Sequence, residues 1–136
     1  MRACGIELKG NTAVLVAVDG SKEQFELLNV VKKIELAEMY DNAAIEAFYS
    51  EIKQVLEANE IECVVIKKRG EKGRFAGGPA SFKMEGLIQL AASANTSFIS
   101  GPQITALLKK NPELPLPKLS KYQEQAFYAA FSQLSL

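Results

Sequence analysis

The sequence predicts an α/β protein with a five-stranded mixed sheet flanked by helices, and three observations predict it. Short β-branched runs separated by turn residues fill the first 36 positions, apolar periodicity turns helical from Asn42, and strand-length and helix-period segments alternate thereafter. A meander followed by strand–helix alternation implies antiparallel strands first and parallel strands later in one sheet. The 136 residues, 48% of them apolar and spread along the chain, suit a single domain over 1–136.

The elements follow in order. "RACGIEL" (2–8) and "TAVLVAV" (12–18) flank "KGN", where Gly10 and Asn11 are expected to supply the positive φ of a tight hairpin turn. "DGSKE" is a second turn signal, and 25–36, "FELLNVVKKIEL", reads as a third strand irregular in its middle. Ala44, Ile45, Phe48, Ile52, Val55 and Leu56 then fall on one helical face behind Asp41, a natural N-cap. "IECVVIK" (61–67) is apolar enough for a central strand covered on both faces. "ASFKMEGLIQLAASA" is helical in period, "TSFIS" is a short strand, and Pro102 opens a helix where proline is favoured. "NPELPLPKLS" is an extended connection, after which Ser120 caps a last amphipathic helix bearing Tyr122, Phe127, Ala130, Phe131 and Leu134.

Composition narrows the chemistry. Sixteen cations balance sixteen anions, so no global field drives the chain toward nucleic acid, and any such affinity must be local. With no histidine, Ser-His and Cys-His activation and the commonest transition-metal ligand are excluded, so an implied metal would be magnesium-like. Cys4 and Cys63 sit in or beside apolar strand-like runs, as expected of reduced thiols. No apolar run has the roughly 18 residues needed to span a bilayer, and the N-terminus lacks the pattern of a signal peptide; the expectation is a cytoplasmic protein with no membrane partner.

From Lys67 to Arg74 five cations accompany one anion, and Gly70, Gly73, Gly77 and Gly78 leave the backbone free to wrap an anion. Neither the Lys-Ser/Thr of a nucleotide P-loop nor a Gly-x-Gly is present. Lys68, Arg69, Lys72 and Arg74 are the candidate nucleic-acid-binding cations, with Phe75 as a stacking face for a base. A merely solvated loop is the alternative.

The element order and "CGIELKG" resemble the ribonuclease H-like superfamily, and within it the Holliday-junction-resolvase-like branch, whose first strand carries a Gly-Ile-acid signature. "CGIELKGN", "VVIKKRGEKGRFAGG", "FKMEGLIQL" and "YQEQAFYAA" together resemble a small bacterial family, Domain of Unknown Function 3010. The superfamily resemblance implies one or two magnesium ions held by carboxylates on the first strand, the fourth strand and the last helix. Glu7 matches the first position and Glu124 the last, which makes them the candidate metal ligands and, with Lys67, the candidate catalytic positions. At the second position Lys67 stands where the resemblance calls for an acid, and Glu85 is a further acid on the helix after the basic loop.

Lys67 has two readings. Its ammonium bridges Glu7 to Glu124 in the ion's place, or strand alternation turns it outward and leaves Lys68 near the acids. The expectation is a nucleic-acid-binding ribonuclease H-like protein with a degenerate metal site and no cofactor, magnesium remaining an option. The alternatives are a magnesium-dependent resolvase-like nuclease and a protein-interaction domain for an acidic partner. Oligomeric state is open, a homodimer included.

Overall fold

The computed structural model describes residues 1–68, 78–92 and 95–136. Strands β1 (Arg2–Lys9) and β2 (Thr12–Gly20) form the predicted hairpin, pairing from Arg2↔Asp19 to Lys9↔Thr12. Gly10 alone turns it with positive φ, +57°; Asn11 does not share that conformation, contrary to expectation. The Asn11 side chain instead donates to the Leu36 carbonyl at 3.3 Å, and the Asn11 backbone carbonyl accepts from the Leu36 N–H at 2.8 Å.

The predicted third strand is two short ones, β3 (Phe25–Leu27) and β4 (Lys33–Glu35), both antiparallel to β2. Between them the chain leaves the ladder, because the Val30 N–H bonds to the Leu28 carbonyl and the two apolar side chains tuck against the core. Helix α1 (Asn42–Ala58) follows, with Asp41 at its N-cap but making no side-chain cap bond. Strand β5 (Cys63–Lys67) runs parallel to β1, α2 (Pro79–Ala91) crosses over, and β6 (Thr96–Ile99) pairs parallel with β5. Helix α3 (Gly101–Lys110) starts on a Ser100–Gln103 capping box. A 3-10 turn over Lys121–Gln123, capped by Ser120, leads into α4 (Glu124–Ser132).

The sheet order is β3-β2-β1-β5-β6, with β4 beside β2, which places β1 centrally next to β5 as the mixed arrangement requires. Strand alternation divides the side chains between two faces. Cys4, Ile6, Leu15, Ile34, Val64 and Ile66 meet Phe48 and Ile52 of α1 and Met84 and Ile88 of α2. Burying each such large side chain contributes about 1.5–3 kcal/mol. On the opposite face Ala3, Val14, Val16 and Val18 meet Ala126, Phe127, Ala130 and Phe131 of α4, while Val65 and Ile99 meet Ile104 of α3. Gly5 lets α4 lie against β1, since a Cβ there would overlap the Ala126 carbonyl oxygen and come 2.6 Å from the Ala130 nitrogen.

Cys4 and Cys63 lie on neighbouring strands as free thiols. Cys4 is fully buried, which pushes its thiol up to about 12. Cys63 is half-buried rather than enclosed, and burial raises its thiol as well, with the Glu62 carboxylate adding to the effect.

Candidate functional site

Glu7 is on the α4 face of β1, two residues beyond Gly5, and on the same side as Val14, its partner in β2. β1 and β5 pair through Ile6↔Ile66, so Glu7 and Lys67 are the next residues of two parallel strands and project to the same side. The Lys67 ammonium donates to Glu7 Oε2 at 3.4 Å. Register thus decides between the two readings of Lys67: it faces the acid. Lys68 is the next residue in alternation, and its N–H donates to the Ile99 carbonyl at 2.7 Å.

A second cation escaped the sequence reading. Lys9 follows Glu7 by two residues on the same face of β1, and its ammonium lies 3.5 Å from Glu7 Oε1. Strand alternation alone could have found it, since residues i and i+2 share a face. The Glu7 side chain is only 12% exposed, whereas those of Lys67 and Lys9 are 26% and 52% exposed. A carboxylate this enclosed is costly unless paired, and its two oxygens face two ammoniums. Lys9 is an ion-pair neighbour only: Oε1 is buried without a hydrogen bond.

Glu124 opens α4. The approach to that helix lies toward the Glu7 end of the sheet: Lys33, opposite Val14 and hence in the row of Glu7, stacks over the Tyr122 ring at 4.5 Å. Among the described residues no ion pair joins Glu124 to Lys67, so the Lys67 bridge expected between the two acids is an ion pair with Glu7 alone. The Glu124 carboxylate is felt by Tyr128, whose hydroxyl is raised by burial first and by that charge second. Glu85 lies on α2, which packs on the other face of the sheet. Arg69, Lys72, Arg74 and Phe75 lie outside the described residues.

Magnesium binding by this group of residues meets two obstacles. A hard cation needs several oxygen ligands in near-octahedral array, and no group of three or more carboxylates, histidines or cysteines gathers among the described residues. The enclosed carboxylate that could contribute, Glu7, already has a positive charge within 3.5 Å of each oxygen. The described residues do not fit the ion that the superfamily resemblance implies. Among them, too, no helix is long and apolar enough to cross a membrane.

Two solved structures share this architecture over nearly their whole length. Thermus thermophilus RuvC superposes with a TM-score of 0.70 at 12% identity, covering 97% of this chain and 92% of that one. T. thermophilus RuvC in complex with Holliday junction substrate superposes with a TM-score of 0.70 at 15% identity, covering 97% and 91%. At such identities the likeness establishes the fold, which is ribonuclease H-like. No curated protein matches the chain in sequence. The match of residues 1–133 to the family described as "Protein of unknown function (DUF3010)" shows that this chain belongs to that family.

Proposed function

We propose that this chain is a nucleic-acid-binding protein that keeps the ribonuclease H-like fold and has an internal ion pair at the position where the superfamily resemblance implies metal. The observation that carries the reading is the Glu7–Lys67 pair, 3.4 Å long, at the meeting point of the two central parallel strands. An ammonium there supplies the positive charge Glu7 needs without an ion, and it repels a divalent ion from the same space. Chemistry that depends on a metal-activated water therefore loses its centre, while the surface around it keeps its cations.

Binding is supported by the charge gathered at that end of the sheet. Lys9 and Lys67 lie there, Lys68 follows directly, and the sequence continues through Arg69, Lys72 and Arg74. The similar RuvC in complex with Holliday junction substrate supports a nucleic-acid ligand by analogy of fold. Because the net charge is zero, attraction must come from this local concentration, which screens with salt.

Electrophoretic mobility shift with single-stranded, duplex and branched probes, at several salt concentrations, tests the reading. The expected result is a retarded complex that weakens steeply as salt rises, with probes left uncut in magnesium. Failure to retard any probe at low salt would refute the binding, and magnesium-dependent cleavage would refute the loss of the metal centre.

A further inference from the structure

The hairpin turn at Gly10–Asn11 is fastened on both sides. Asn11 bonds to Leu36, four residues before Tyr40, and the Ser81 hydroxyl donates to the Gly10 carbonyl at 3.4 Å, two residues before Lys83. These bonds bring the segment before α1 and the first turn of α2 to the Lys9 end of β1. There the Lys83 ammonium, anchored by the Met39 carbonyl, sits over the Tyr40 ring at 4.6 Å from its centroid.

We propose that Tyr40, backed by Lys83, is a stacking platform for an unpaired nucleobase. This rests on the nucleic-acid-binding reading and adds to it a ligand class, a single-stranded or locally unpaired segment. Three lysine–tyrosine stacks occur among the described residues, and their surroundings differ. Tyr122 packs against the α4-side core, and Tyr49 is half-buried with Lys53 at 5.8 Å. Tyr40 is 77% exposed, so it contributes little to the core, yet its ring is held by a cation that is itself anchored. A ring fixed before binding loses less conformational freedom when a base stacks on it. Stacking on an aromatic face is tolerant of base identity and needs the base out of a duplex.

Charge orients the strand. Glu38 and Asp41 flank Tyr40 in sequence and offset the Lys83 ammonium at its ring, whereas Lys9, Lys67 and Lys68 favour phosphate toward the ends of β1 and β5. A strand following this field turns its backbone to the lysines and a base to Tyr40.

The protein has no tryptophan, so Tyr40→Trp introduces a single reporter at the platform. Titration of that variant with single-stranded oligothymidine should quench its fluorescence saturably. Tyr40→Ala should weaken single-strand binding about tenfold. It should leave duplex affinity and the salt dependence of binding unchanged, because no cation is removed. Tyr49→Ala, which alters a similar lysine–tyrosine pair on α1, should match the wild type. Wild-type single-strand affinity in Tyr40→Ala, or no fluorescence change in Tyr40→Trp while that variant binds, would overturn the platform and leave the binding reading intact. A wild-type protein that binds no probe would overturn both.

Discussion

Gly5 and Ala126 meet backbone to backbone where α4 crosses β1, with no room for a side chain at the glycine. The contact fixes how closely the last helix lies on the central strand, and Glu7 is two residues further along that strand. Gly5→Ala should force helix and strand apart and destabilise the protein by about 3 kcal/mol or more, near the upper end for overpacked cores. Gly10→Ala meets no neighbouring atom but must adopt positive φ, so its cost should be smaller, about 1 kcal/mol. Chemical denaturation of both variants measures the difference, and equal losses would contradict the close approach.

The two thiols should separate by burial. In native protein an alkylating reagent should modify half-buried Cys63 well before fully buried Cys4, and both should react after unfolding without reductant. The pH dependence follows from the same burial. The Cys4 thiol is raised from 9.0 to about 12, so the folded state holds its proton more tightly than the unfolded chain does. That contribution is complete below pH 9 and is lost as pH rises toward about 12, with a slope of up to about 1.4 kcal/mol per pH unit. Cys4→Ala should therefore lose stability less steeply than the wild type above pH 9, as read from denaturation midpoints. Parallel curves would show that Cys4 ionisation does not limit stability.

Replacing Lys68, Arg69, Lys72 and Arg74 together with alanine should reduce nucleic-acid binding by at least an order of magnitude and flatten its salt dependence, because each lost phosphate contact removes about one released counterion. Mobility shifts against salt concentration measure both effects, with thermal unfolding as the control for folding. Unaltered binding would take these four cations out of the interface.

Much of this fold was legible because its signals are local. The unbroken apolar run from Ala13 to Val18 marks a strand buried on both faces, and Phe48, Ile52 and Leu56 mark the inner face of a helix. The irregular middle of the third strand was legible, but its full split into β3 and β4 was not, since Leu28 and Val30, which pack on the core from outside the ladder, look in sequence like ladder residues. At the site, residue identity pointed to Glu7 and Lys67, but their meeting depends on the parallel register of strands some sixty positions apart. Lys9 was within reach of simple alternation. Tyr40 was not, because its pairing with Lys83 arises from the bonds that fasten the hairpin turn.

In the proposed function Lys67 takes the electrostatic role of a metal beside Glu7. Calorimetric titration of magnesium and manganese into wild-type protein, Lys67→Glu and Lys67→Glu/Glu7→Gln distinguishes that role from an ordinary surface ion pair. Replacing the ammonium with a carboxylate sets two acids side by side on β1 and β5, and the waters that magnesium retains supply the remaining oxygen ligands. The wild type should show no saturable binding, Lys67→Glu should bind saturably, and the double variant should lose that binding. Saturable binding by the wild type that disappears in Glu7→Gln would contradict it.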